Sequence, residues 1–150
     1  RKEFRLTTIP IVDIGNAFAP SEAASIRAAR ALGGALERIG FAYIVGHGLP
    51  QSSIDAAFAA SRAFHASTME QKRSLAINEF HRGYMGMATS TIVTSSVANV
   101  TRPNLSESLM IMHELAPDDP DLLARRPLQG PNQWPDWMPG FKATIQSYIR

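Results

Sequence analysis

The stretch from Gly40 to Gly48 constrains the fold of this chain more than any other part of the sequence. It places four large apolar or aromatic residues within five positions and closes them at both ends with glycine; these residues are Phe41, Tyr43, Ile44 and Val45. The run is too short for a core helix and rich in residues that favour strands. Because one helical pattern enters it and another leaves it, the stretch predicts a short buried strand covered by helices.

The residues before this stretch predict a strand and then a helix. Residues 9–14 alternate as a strand does, with Pro10 near the start, where a missing N–H donor matters least. A helix entry follows at Ser21, and apolar side chains recur at spacings of three and four from Ile26 to Ile39. Residues 9–46 therefore predict a strand–helix–strand unit, with a right-handed crossover if the strands are parallel.

The rest of the chain predicts three more helices and one long loop. The helices begin after Pro50, at a capping box formed by Thr68 and Gln71, and at Phe141, and residues 106–114 read as a strand. Residues 78–104 carry a Ser/Thr-rich run without helical period, and a loop of this length is usually functional or disordered. We expect the tryptophans Trp134 and Trp137 to serve packing. The pattern predicts one α/β (α+β) domain over residues 1–150.

Composition excludes several classes of function. The chain has no cysteine, which excludes disulfides and thiolate ligands. Fifteen basic and thirteen acidic residues leave a net charge of +2, too small for a phosphate-binding surface, so no nucleic acid partner is expected. No apolar run approaches the length of about 20 residues that a bilayer requires. We therefore expect a cytoplasmic protein with no membrane contact.

The four histidines do not form a recognisable metal motif. None of His47, His65, His81 and His113 begins a His-x-Asp or His-x-Glu pair, and no His-Glu-x-x-His sequence is present. A complete metal site is therefore not expected within these residues. For His47, which lies between two glycines, we expect a structural role in a turn.

Arg82 opens the long loop, beside Gly83 and Tyr84. A guanidinium on a loop can bind a substrate carboxylate through two parallel hydrogen bonds. The alternative, which spacing alone favours, is a surface arginine. Glu107 has two interpretations as well: it pairs with a basic group, or it lies solvated on a strand edge.

Together these segments resemble the N-terminal region of the isopenicillin N synthase-like iron(II)/2-oxoglutarate-dependent oxygenases. The matching residues are Ile9-Pro10-Ile11-Val12-Asp13, Gly40-Phe41 through His47-Gly48, Phe64 through Lys72, Arg82-Gly83-Tyr84, Glu107-Ser108 and Gly130-Pro131-Asn132-Gln133-Trp134-Pro135. Each match is weak alone, but their order and spacing across nearly the whole chain are specific.

The resemblance implies helices packed on a few strands that complete the edge of a double-stranded β-helix, or jelly roll. It implies an enzyme that uses iron(II), oxygen and usually 2-oxoglutarate to hydroxylate, desaturate or cyclise a small molecule. In the family the metal ligands and the group that holds 2-oxoglutarate lie further on, so we expect the catalytic barrel outside this chain. No catalytic, cofactor-binding or metal residue is then expected within it.

Arg82 and Tyr84 match the family's Arg-Gly-Tyr region, near the substrate mouth in relatives, and are the expected substrate-binding residues. The substrate would be acidic if Arg82 contacts it. Two alternatives stay open: a stand-alone, non-enzymatic α/β binding module that uses the 78–104 loop, and a family member that does not use 2-oxoglutarate. Strand edges and apolar helix faces left without the barrel would make the segment alone dimerise or aggregate.

Overall fold

The chain divides after Pro50 into two units, and each unit contains one short pair of strands. The computed structural model describes residues 8–18, 21–91 and 101–149. The elements in chain order are β1 (Ile11–Asp13), a 3₁₀ turn (Gly15–Phe18), α1 (Glu22–Arg38), β2 (Tyr43–Val45), α2 (Gln51–His65), α3 (Met69–Ser74), β3 (Gly83–Met85), β4 (Ser108–Met110), α4 (Pro120–Leu123) and α5 (Phe141–Ile149). This is a mixed α/β chain, as the sequence predicts.

In the first unit β1 and β2 pair in parallel, with Ile11 opposite Tyr43. The N–H of Tyr43 donates to the carbonyl of Pro10 at 2.8 Å, so the proline contributes an acceptor at the position where it lacks a donor. The predicted strand–helix–strand order is confirmed, with α1 as the connection between parallel strands.

The buried face of α1 differs from the predicted one. Ile26 and Leu36 of the predicted apolar stripe are 43% and 48% exposed, whereas Ala24, Ala28 and Ala35 are buried. Alanine has no side chain beyond Cβ, so a face of alanines lets the helix backbone approach its neighbours closely, and α1 contacts β1 and the 3₁₀ turn. The apolar stripe predicted from Ile26 to Ile39 is therefore not the face that α1 buries.

The prediction that β2 is a buried strand was also wrong. Tyr43 is 62% exposed, and Ile44 and Val45 are each 43% exposed. Within the described residues β2 pairs with β1 alone. A helix on one side of a two-stranded pair cannot cover both faces, so the apolar stretch that dominates the sequence lies open.

In the second unit β3 and β4 pair antiparallel, with Tyr84 opposite Leu109. The segment before β3 joins this pair, because the N–H of Tyr84 donates to the carbonyl of Leu75 and the N–H of Ile77 donates to the carbonyl of Tyr84. The predicted strand over residues 106–114 is reduced to the three residues of β4.

An aromatic cluster forms the core of this unit. The ring of Phe64 lies 5.9 Å from that of Phe141 and 6.4 Å from that of Trp137. Trp134 also packs against the buried residues of this core. The prediction that both tryptophans serve packing is confirmed, and the indole N–H of Trp137 donates to the hydroxyl of Ser67 at 3.2 Å.

Part of the predicted 78–104 loop is a strand, because β3 occupies Gly83–Met85. The loop that remains after β3 is closed at its base. The N–H of Ala88 donates to the carbonyl of Asn104, and the N–H of Asn104 donates to the carbonyl of Ser90, both at 2.8 Å. Most of the predicted Ser/Thr-rich run, residues 92–100, lies outside the described residues. In the part of the chain that is described, no helix is long and apolar enough to cross a bilayer.

Candidate functional site

Three polar side chains from distant parts of the second unit meet around the carboxylate of Glu107. The hydroxyl of Tyr84 donates to Oε2 at 2.5 Å, and the ammonium of Lys72 donates to the same atom at 2.9 Å. Nδ1 of His65 lies 3.3 Å from Oε1. We call these four residues the Glu107 cluster. Of the two interpretations of Glu107, the structure confirms that it pairs with a basic group, Lys72.

Local structure explains how these side chains come together. The capping box begins α3, since Thr68 accepts from the N–H of Gln71 while the Gln71 side chain accepts from the N–H of Thr68. This places Lys72 on the inner side of α3, where it is 6% exposed. Glu107 directly precedes β4, and the β3–β4 register brings it to Tyr84.

Within the Glu107 cluster the negative charge of Glu107 is balanced by the positive charge of Lys72. Hydrogen bonds from Tyr84 and Lys72 lower the pKa of Glu107 to about 2, against the opposing effect of burial. The bond to Glu107 raises the pKa of Lys72 despite burial, and the pKa of Tyr84 is raised by the same carboxylate and by burial. At neutral pH the glutamate is an anion, the lysine a cation and the tyrosine neutral. None of these three is poised for proton transfer near pH 7, so the arrangement joins elements of the fold.

Arg82 lies inside the second unit, not on its surface. It is 2% exposed, and its guanidinium donates to the carbonyls of Phe80 at 2.9 Å and Leu128 at 2.6 Å. The Arg82 backbone N–H donates to the side chain of Asn78, and Nε has no hydrogen-bond partner among the described residues. The interpretation of Arg82 as a surface arginine, which spacing alone favours, was therefore wrong. Arg82 and Tyr84 are neighbours in sequence, but the guanidinium stays outside the Glu107 cluster.

A second polar group holds the segment after β4. The Asn132 side chain accepts from the N–H of Met112 and donates to its carbonyl, as a strand partner would. Burial works to raise the pKa of Glu114, but hydrogen bonds from Asn132 and Lys142 outweigh it and lower that pKa. The sequence reasoning missed Lys72, Glu114 and Asn132 as individual residues. The signal that was available is that the resemblance already included Lys72 and Asn132 among its matching segments.

Tyr84 also lines a cleft of about 420 Å³ together with Met85 and Gly86, beside the closed base of the long loop. Tyr84, a predicted substrate-binding residue, therefore contributes to the wall of this cleft, although it is only 4% exposed. Its hydroxyl is held by Glu107. Arg82 is not among the described residues of this wall.

The described residues do not fit an iron site. Among residues 8–18, 21–91 and 101–149, no three histidine, cysteine or acidic side chains lie close enough together to hold a metal ion. His47 makes a local structural contact, because its Nδ1 accepts from the N–H of Leu49 at 3.1 Å. The described side chains therefore provide no site for iron chemistry.

Comparison with known proteins decides the family. The family described as "non-haem dioxygenase in morphine synthesis N-terminal" matches residues 9–137. The chain belongs to this family. The resemblance drawn from the sequence is thereby confirmed.

Relatives of this non-haem dioxygenase N-terminal domain are iron(II)/2-oxoglutarate enzymes. The 2-oxoglutarate-Fe(II) type oxidoreductase hxnY of Emericella nidulans is 30% identical over 148 residues, which are 95% of this chain and 41% of hxnY. A 2OG-Fe(II) oxygenase family protein from Caulobacter crescentus has a TM-score of 0.67 at 27% identity, over 93% of this chain and 42% of that one.

The Neurospora crassa enzyme T7H, solved with alpha-KG, has a TM-score of 0.66 at 25% identity over 94% of this chain and 41% of its own. The domain thus spans about two fifths of the length of each of these three relatives.

Proposed function

We propose that this chain is the N-terminal domain of an iron(II)/2-oxoglutarate-dependent oxygenase that oxidises a small molecule, by hydroxylation, desaturation or cyclisation. The observation that carries the proposal is the family match over residues 9–137, together with relatives of which the chain spans about two fifths. Residues 1–150 act as one N-terminal domain in this proposal, and a catalytic barrel contributes the iron and 2-oxoglutarate ligands. The described residues provide no metal cluster of their own, and we place the enzyme in the cytoplasm.

We further propose that the β1–β2 pair completes the edge of a double-stranded β-helix whose main part is that barrel. The supporting observation is the exposure of apolar side chains on this pair, with Ile11 71% and Tyr43 62% exposed; Phe41, just before β2, is 70% exposed. Exposed strand edges with apolar side chains pair readily with other strands. The segment expressed alone should therefore dimerise or aggregate, and a clean monomer in sedimentation would count against this placement.

Arg82 and Tyr84 are the proposed substrate-binding residues of the chain. A substrate-binding role for Tyr84 is supported by its position in the wall of the 420 Å³ cleft. The Arg82 guanidinium is enclosed by carbonyls of Phe80 and Leu128, so it reaches a substrate carboxylate only if the segment around Leu128 moves. In the whole enzyme Arg82→Ala should raise KM for an acidic substrate, and an unchanged KM would contradict the role.

The decisive experiment is an assay of the intact product of the natural gene. We expect one bound iron per molecule and release of CO₂ from 2-oxoglutarate that stops when iron(II) is chelated. Bound iron with substrate oxidation that needs no 2-oxoglutarate would indicate the alternative family member, one that does not use 2-oxoglutarate. A product with the mass of this chain, no iron and a cooperative thermal unfolding transition would favour a binding module that uses the 78–104 loop.

A further inference from the structure

We propose that the cleft between α3 and the turn after β3 binds a small amphipathic carboxylate, and that Arg73 pairs with the carboxylate group of this ligand. The cleft is lined by side chains of Met69 and Arg73 from α3, by Tyr84 and Met85 from β3, and by residues of the following turn. This proposal rests on the proposed oxygenase function and names the class of substrate that the domain would help to select.

The cleft suits the apolar body of such a molecule. Three methionines, Met69, Met85 and Met87, contribute to its wall, and its volume of about 420 Å³ falls within the range of roughly 300–1,000 Å³ typical of small-molecule sites. Methionine side chains are unbranched and polarizable, so they adapt to ligands of different shape. Met69 and Met87 are 44% and 61% exposed, which leaves their apolar surface available to a ligand.

The charge of the cleft suits a carboxylate. Arg73 is the only charged side chain among the described residues of the lining. Within residues 8–18, 21–91 and 101–149 it pairs with no carboxylate; the acidic group behind the cleft wall, Glu107, is already neutralised by Lys72. An arginine binds a carboxylate through two parallel hydrogen bonds, which fixes orientation as well as affinity.

The cleft wall is held in place before any ligand arrives. Tyr84 is 4% exposed, and its hydroxyl is fixed by Glu107 while its backbone bonds to Leu75 and Ile77. On the other side Thr89 donates to the carbonyl of Gly86 at 2.6 Å, next to the closed base of the long loop. A wall that needs no ordering on binding loses less free energy when a ligand associates.

The test compares a carboxylate with its neutral amide on the intact protein from its natural gene. The probes are 4-phenylbutyrate and 4-phenylbutanamide, and the dissociation constants are measured by calorimetry or ligand-observed NMR, which require no turnover. We expect the acid to bind about tenfold more tightly than the amide, as loss of one charged hydrogen-bonding partner predicts. Butyrate, which lacks the apolar body, should bind more weakly than 4-phenylbutyrate.

Arg73→Gln should abolish the preference for the acid, whereas Arg62→Gln, a control at an exposed arginine of α2 outside the cleft lining, should keep it. Equal affinity for acid and amide in the unaltered protein would overturn the proposal, as would equal effects of the two substitutions. Failure of 4-phenylbutyrate to bind at all would overturn it too.

Iron-dependent decarboxylation of 2-oxoglutarate, measured on the same preparations, separates this proposal from the proposed function. Decarboxylation without any Arg73-dependent preference for the acid would leave the oxygenase and remove the subsite. An Arg73-dependent preference without decarboxylation would leave the subsite and remove the oxygenase.

Discussion

The ammonium of Lys72 lies 2.9 Å from Oε2 of Glu107, although 35 positions of sequence separate the two residues. Lys72 is 6% exposed, so this ion pair is formed at the boundary of the core and not in open solvent. It joins α3 to the start of β4, and Tyr84 of β3 shares the same carboxylate oxygen. Three elements of the second unit are therefore tied at one atom.

Removing the charge of Glu107 should destabilise the protein strongly. Glu107→Gln leaves the buried ammonium of Lys72 without its anion, and we expect a loss of about 3 kcal/mol in the free energy of unfolding, measured by chemical denaturation. Glu79→Gln is the matched control, since Glu79 pairs with Arg125 at the surface, where the side chains are 68% and 71% exposed. That control should cost less than about 1 kcal/mol. Equal losses would show that the Glu107 cluster is not a buried ion pair in solution.

The same cluster predicts the pH dependence of stability. Because the pKa of Glu107 falls from 4.5 to about 2 on folding, its contribution is present above pH 4.5 and is lost as the pH falls through 2. The raised pKa values of Lys72 and Tyr84 work at the other end: their contribution is present below their ordinary values of 10.5 and 10.0 and is lost as the pH rises beyond their folded values.

The difference in unfolding free energy between the unaltered protein and Glu107→Gln should therefore be constant between about pH 5 and pH 9 and shrink toward pH 2. Denaturation curves at several pH values measure it. A difference that stays constant down to pH 2 would contradict the lowered pKa of Glu107.

Gly83 should not tolerate a side chain. Its φ of +120° is disfavoured for other residues, and a Cβ atom there would overlap the carbonyl of Leu75 and the side chain of Gln133. We expect Gly83→Ala to cost about 3 kcal/mol of unfolding free energy. Gly33→Ala in α1 is the control, because a Cβ at Gly33 would meet no atom of the described residues within 4 Å; helix propensity should make it stabilising by up to about 1 kcal/mol. A neutral Gly83→Ala would mean that β3 adopts another backbone conformation.

Phe64 should be the most sensitive position of α2. It is 1% exposed and contacts the rings of Tyr84, Trp137 and Phe141. Phe64→Ala should lower the free energy of unfolding by about 3–5 kcal/mol. Phe58→Ala on the same helix, at a position 60% exposed, should lower it by less than about 1 kcal/mol. Similar losses at both positions would mean that the aromatic cluster is not the core of the unit.

Much of the local structure could be predicted, because its signals are local. The capping box at Thr68 depends on hydrogen bonds between residues three positions apart. The strand–helix–strand order follows from spacing within residues 9–46. The face that α1 buries was wrong, because hydrophobicity favoured Ile26 and Leu36 while close packing selected the alanines of α1.

The sequence by itself determined the strand–helix–strand order of residues 9–46, the start of α3, the packing role of the two tryptophans and the family. Tertiary structure alone decided that Arg82 is enclosed and that β2 is exposed. It also decided that Lys72, Tyr84 and Glu107 meet at one carboxylate. The physical reason is range: propensities and caps act over three or four residues, whereas the burial of a charge depends on which distant segment supplies its partner.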